Sequence, residues 1–214
     1  GSPIIEVQGA NMPVGSNNHI LNLTASSNVV RRLVLNRAGD DAIYAPNGSN
    51  GNLFVGNYIG VNVAGTVALG NNADGIDVEG NNNTIGGLTS ADSNIIGGAG
   101  YGTVASGQSG IEIGGGATAS SGTVVIGNYI GTNPSGTDLH NGITGIEIRS
   151  SSGTTTIGGS SAGAANVIAY NGEVGVVLYP NVTSGVTISR NSIYANGRLG
   201  IDLSWDDVTL NDAN

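Results

Sequence analysis

The chain contains no cysteine and no lysine. Without cysteine there are no disulfide staples and no thiolate metal sites, although secretion stays open. All six basic residues are arginine (Arg31, Arg32, Arg37, Arg149, Arg190 and Arg198), and only Arg31 and Arg32 adjoin. Against 15 Asp and Glu the formal net charge is −9. The clustered positive charge that a phosphate backbone demands is therefore missing, which argues against nucleic acid as a partner. Excess negative charge favours solubility and the binding of cations. No apolar run approaches the roughly 18 residues needed to cross a bilayer, so no transmembrane segment is expected. Large core-filling side chains are also scarce, with one Phe (Phe54), one Trp (Trp205) and one Met (Met12). A wide globular core fits such a composition poorly, whereas stacked Ile and Val fit a narrow tube.

Glycine, at 38 residues, is the most conspicuous presence. Glycine at this level can signal disorder or a linker. The 38% hydrophobic content argues otherwise, because Ile and Val recur at regular intervals. Repetition is the strongest signal. Gly56-Asn57-Tyr58-Ile59-Gly60 returns as Gly127-Asn128-Tyr129-Ile130-Gly131, and Thr84-Ile85-Gly86-Gly87 returns as Thr156-Ile157-Gly158-Gly159. Asn94-Ile95-Ile96 returns as Asn166-Val167-Ile168, and every offset is 71 or 72 residues.

A shorter period lies inside the long one. Asn-x-Ile recurs at Asn57, Asn94, Asn128, Asn166 and Asn191. Each copy is followed by a strand of the Gly-Ile-x-Ile type, such as Gly75–Val78, Gly110–Ile113 and Gly145–Ile148. A third short strand closes each coil, as at Leu53–Val55 and Val124–Ile126. Leu35 to Ile59 spans 24 residues and Ile168 to Ile193 spans 25, which sets the basic coil. The middle coils run to between 34 and 38 residues, so they carry insertions, with candidates at 61–73, 88–93, 97–109, 132–144 and 160–165. A coil of this length cannot bury its own apolar face. Stacking coils about 4.8 Å apart buries it and pairs every strand with the next coil. The five asparagines keep a fixed offset from the following Ile, which aligns them as one column with amides bonding between coils.

The motif Asn-x-Ile-x-x-Asn-Gly-x-x-Gly-Ile-x-Leu stands almost complete at Asn191–Leu203. It resembles the parallel β-helix repeats of the pectin-lyase-like superfamily. The Gly-Asn-Tyr-Ile-Gly and Thr-Ile-Gly-Gly signatures look like those of large bacterial secreted and cell-surface proteins. The expected fold is a right-handed parallel β-helix of about six coils, three short strands each, with loop insertions. Gly1-Ser2 reads as a cloning scar. Residues 3–23 start or cap the helix, 24–205 form it, and 206–214 read as a linker toward downstream domains of the same chain. The resemblance implies an extracellular or cell-surface setting and polysaccharide or other surface components as partners. It covers enzymes and adhesins alike, so function has to come from a site.

In Gly-Ile-x-Ile the apolar residues face inward and x outward. In register, x forms the column Tyr44, Asp77, Glu112, Glu147, Val177, Asp202, with Glu79 and Arg149 two residues further along. Like charges opposite each other on neighbouring strands destabilise a sheet. Arg149 could offset the repulsion, Ca²⁺ could bridge the carboxylates, or one acid could hold its proton, as a general acid must. Carboxylates one coil apart approach the spacing of retaining glycosidases. A lyase would use Ca²⁺ to neutralise a uronate, with Arg149 near the abstracted proton.

Asp77, Glu112, Glu147 and Arg149 are therefore the candidate catalytic group, with Tyr44, Glu79 and Tyr179 as substrate contacts. The simplest reading of the column is nonetheless a solvated sheet face. Asp202, Asp206 and Asp207 around Trp205 form a second acidic group, readable as a Ca²⁺ site or as a polar linker. His19 and His140 are far apart and, with no cysteine, give no zinc signature. Gly114-Gly115-Gly116 reads as a turn, since no helix follows it. On the third strand Phe54, Thr84, Val125, Thr156 and Thr187 are expected to face outward as a packing surface. The leading functional expectation is a non-catalytic structural or adhesive module. The alternative is a polysaccharide lyase or glycoside hydrolase acting on acidic glycans.

Overall fold

In the computed structural model, residue 3 and residues 5–100, 108–116, 119–151, 153–180, 182 and 185–206 are described. Asp207, and with it most of the linker, lies outside the described residues. Short strands alternating with turns wind into three parallel sheets, with seven, seven and six strands among the described residues. The first sheet comprises Ile5–Gln8, Leu33–Asn36, Tyr58–Ile59, Ile95–Ile96, Tyr129–Ile130, Val167–Ala169 and Ser192–Tyr194. The second comprises Leu21–Asn22, Ile43–Ala45, Ile76–Val78, Ser109–Ile113, Thr144–Ile148, Val176–Leu178 and Ile201–Leu203. The third comprises Val29–Arg31, Leu53–Val55, Thr84–Gly86, Val124–Ile126, Thr155–Gly158 and Val186–Ser189.

Each strand pairs in parallel with its counterpart one coil away, so the chain is a right-handed parallel β-helix of between six and seven coils. That hand follows from the right-handed twist of parallel crossovers. Segment 3–23 supplies strands of the first coil, with Ile5–Gln8 on Leu33–Asn36 and Leu21–Asn22 on Ile43–Tyr44.

The tube is filled by three inward columns. Leu35, Ile59, Ile96, Ile130 and Ile168 stack from the first sheet. Ile43, Ile76, Ile111, Ile146 and Val176 stack from the second. The third contributes Val30, Phe54, Ile85, Val125, Ile157 and Ile188. Phe54 and Val125 are fully buried. Thr84, Thr156 and Thr187 face outward as expected, while Phe54 and Val125 are corrected by one residue, so the outward column is Val29, Leu53, Thr84, Val124, Thr156 and Thr187. With a side-chain period of two, a slip of one residue exchanges the faces. Phe54, the largest core side chain, goes where it loses the most water contact.

Asparagine ladders hold the corners. Asn57 Nδ2 donates to Asn94 Oδ1 (3.1 Å), Asn94 to Asn128 (2.8 Å), Asn128 to Asn166 (3.0 Å) and Asn166 to Asn191 (2.9 Å). Each oxygen also accepts a backbone N–H from the previous coil, so buried amides that a turn would orphan are satisfied. Shorter ladders run along the other corners, Asn28–Asn52–Asn83 and Asn141–Asn171–Asn196. Residues of the insertions at 61–73 and 132–144 fold back on the outer face of the first sheet. There Val61, Ile95 and Leu139 form a second small core against Tyr58 and Tyr129.

Candidate functional site

The second sheet carries the chemistry. Its outward residues align coil on coil as Asn22, Tyr44, Asp77, Glu112, Glu147, Val177 and Asp202. The face is not solvated, contrary to its simplest reading. Asp77 is 9% exposed, Glu112 8% and Glu147 0%. The turn Gly114–Gly116 contributes cover. A Cβ on Gly115 would overlap Glu112 Oε1, and one on Gly116 would overlap the Glu79 carboxylate and the Asn47 amide. Only glycine lets backbone lie this close to the acids, so this run is a lid of bare main chain as well as a turn.

A second tier of acids joins the column from three positions earlier, Asp41 and Asp74, followed by Ser109 and Thr144. Strict alternation would put these residues on the opposite face from x. The intervening glycines change the phase, because Gly75, Gly110 and Gly145 sit against inward Ile96, Ile130 and Ile168 with no room for a Cβ. Two successive positions thus face inside at the bend, and the residue before them turns outward.

The result is a chain of hydrogen bonds. The Asp74 amide donates to Asp41 Oδ1 (2.9 Å) and the Ser109 amide to Asp74 Oδ1 (2.5 Å). Ser109 Oγ donates to Glu147 Oε2 (2.7 Å), which leaves the Thr144 hydroxyl to donate to Ser109 Oγ (2.6 Å).

Arg149 is the cation of the group. Its Nε lies 3.0 Å from Glu112 Oε2 and 2.7 Å from Glu147 Oε1, at ion-pair distance but outside hydrogen-bonding angles. One guanidinium cannot neutralise all these carboxylates. Burial therefore pushes Glu112 up to about 7, with Arg149 pulling the other way and Glu147 adding to the rise. Burial, then Glu112, raises Asp77 well above the carboxylate range, and the same two causes raise Asp74. Asp77 Oδ1 and Glu147 Oε1 are buried without a hydrogen bond. At neutral pH the face holds part of its charge balance as protons.

Of the expected substrate contacts, Glu79 accepts the Asn47 amide (3.2 Å) beneath the glycine turn. Tyr44 stacks on His19 at 4.5 Å between ring centres. Tyr179 lies under the Arg149 guanidinium (5.5 Å) and stacks on Trp205 (5.6 Å, 25° between planes). Burial, then the nearby Glu147, pushes the Tyr179 hydroxyl up to about 12. Gly115, Gly116, Arg149, Ser150 and Tyr179 line a cleft of about 250 Å³. Of the second acidic group, Asp202 is buried at the end of the column, Asp206 is exposed and Asp207 lies outside the described residues.

Sequence reasoning missed Asp41 and Asp74, whose signal was their shared position before the Gly-Ile pair. It named Trp205 only as the centre of the second acidic group and set His19 aside. In space His19 Nδ1 is 3.0 Å from Asp41 Oδ2 and 3.5 Å from Asp40 Oδ2. Comparison with protein-family models, curated proteins and solved structures finds no match to this chain.

Proposed function

We propose that this β-helix is a non-catalytic module of a larger extracellular or cell-surface protein, and that it holds polysaccharide at the cleft beside Tyr179. The carrying observation is a division of the site. The carboxylates are enclosed, with Glu147 fully buried and Glu112 under the glycine turn, while Arg149, Tyr179 and Ser150 open on the cleft. The planar Arg149 cation and the exposed part of the Tyr179 ring, beside backbone glycine, offer hydrogen bonds and apolar contact to a sugar ring. The motif at Asn191–Leu203 supports a kinship with pectin-lyase-like repeats and, with it, the extracellular setting.

The enzymatic reading keeps one specific observation in its favour. Glu112, pushed up to about 7, is suited to give and take a proton at neutral pH. Its register partners Asp77 and Glu147 lie one strand spacing away on either side, about 4.8 Å, close to the carboxyl separation of about 5–5.5 Å in retaining glycosidases.

Affinity electrophoresis through gels containing neutral and acidic polysaccharides separates the two readings, with Ca²⁺ and with chelator. Retardation that Tyr179→Ala abolishes, with no new reducing ends and no unsaturated products by ultraviolet absorbance, is the expected result. Products that disappear in Glu112→Gln would replace the module with a hydrolase or lyase. No retardation on any glycan would remove the polysaccharide.

A further inference from the structure

We propose that His19, Asp40 and Asp41 form a binding site for a divalent first-row transition ion of the Zn²⁺ or Mn²⁺ class, clamping the first coil to the second. One ligand atom from each residue lies within 4.8 Å of the others. His19 Nδ1 is 3.0 Å from Asp41 Oδ2 and 3.5 Å from Asp40 Oδ2. Ligands about 2.1 Å from a tetrahedral Zn²⁺ are about 3.4 Å apart, which those separations straddle.

The independent observation is the histidine itself. Its side chain is only 6% exposed, yet its buried Nδ1 makes no hydrogen bond, because the nearby carboxylates sit at poor angles. A nitrogen aimed between two carboxylate oxygens without bonding either one suits a shared ion better than a shared proton.

The surroundings hold the ligands in place. Tyr44 stacks on the imidazole at 27° between planes. Asp41 Oδ1 accepts the Asp74 amide (2.9 Å), which leaves Oδ2 for the ion. Asp40 Oδ2 accepts the Asn17 amide (2.7 Å). Such outer contacts orient ligands in metal sites. Two carboxylates and a neutral imidazole balance a divalent charge, and the nitrogen donor favours a transition ion over Ca²⁺. The location gives the site a structural purpose. His19 lies two residues before the strand Leu21–Asn22, and the Ile20 and Leu21 amides donate to the Asp41 and Ala42 carbonyls of the next coil. A metal cross-link there would tie this coil to the next.

The test exploits a chain with only two histidines, His19 and His140. Metal-stripped protein is titrated with Co²⁺ by visible absorption and with Zn²⁺ by calorimetry, and imidazole ¹⁵N resonances are followed by NMR. One equivalent of ion, a Co²⁺ d–d band, and movement of the His19 Nδ1 resonance alone are expected. Because this NMR readout is taken on the unmutated protein, it does not depend on a variant folding. His19→Gln should weaken Zn²⁺ more than about 100-fold, beyond the effect of losing an outer-shell partner, while His140→Gln should leave affinity unchanged. Non-stoichiometric uptake, a shift of His140 in place of His19, or equal affinity in the two variants would overturn the site. An unmoved His19 would make the group a plain ion pair.

Discussion

Stability should fall as pH rises from about 5 to about 8, and Glu112 is the cause whose size can be worked through. Its carboxyl is pushed from an ordinary 4.5 to about 7 in the folded chain. On unfolding the pKa returns to the ordinary value. As pH rises, the unfolded chain releases this proton first, so between the two values the folded state binds more protons and stability decreases with pH. The stabilising contribution is complete below about 4.5 and lost as pH passes 7. The shift amounts to about 3 kcal/mol at about 1.4 kcal/mol per unit. In a chain of this size that lowers the melting midpoint by roughly 6–12 °C. Asp74 and Asp77 shift in the same direction and steepen the slope.

Glu112→Gln keeps the shape and removes the charge, and Arg149 retains Glu147 at 2.7 Å. The variant should match the parent near pH 4.5 and melt higher at pH 8, with a flatter profile between. Melts by circular dichroism across this range, with ¹³C-carboxyl titration of the five glutamates, measure both quantities. A midpoint that is constant or rises with pH, or a variant less stable than the parent at pH 8, would refute the reasoning. Pairing with Arg149 would then outweigh burial.

Asn94→Ala removes an amide that bonds the Phe54 carbonyl and Asn128 (both 2.8 Å) and accepts the Asn57 amide (2.8 Å). At about 1–3 kcal/mol per orphaned buried group, urea unfolding should show a loss of at least about 3 kcal/mol. Phe54→Ala should cost about 3–5 kcal/mol by the same measurement, since Phe54 is fully buried in the tube, whereas an outward Phe54 would cost little. Substitutions at the corner after the first sheet should have opposite signs. Gly131→Ala (φ 77°) would drive a Cβ into the Ala169 carbonyl and destabilise, while Ala195→Gly relieves an exposed left-handed residue (φ 52°) and gains up to about 1 kcal/mol.

The architecture was legible in the chain because a solenoid is built from local, repeated rules. A two-residue alternation, a fixed Asn-to-Ile offset and a return of about 24 residues leave stacked coils as the way to bury Ile and satisfy Asn. Those rules also align Asp77, Glu112 and Glu147 in one column. They could not say whether that face was wet. Solvent exclusion depends on what lies above a residue, and at Glu112 that is backbone without a Cβ at Gly115. They misjudged Phe54 because three-residue strands carry too little alternation to settle their own phase. Asp74 turned toward the carboxylates only through the bend at Gly75. His19 met Asp40 and Asp41, and Trp205 met Tyr179, only because successive coils bring residues more than 20 positions apart to within a few ångströms. The repeat is a property of the chain, while the protonation and ligand chemistry of the second sheet arise from contacts between coils.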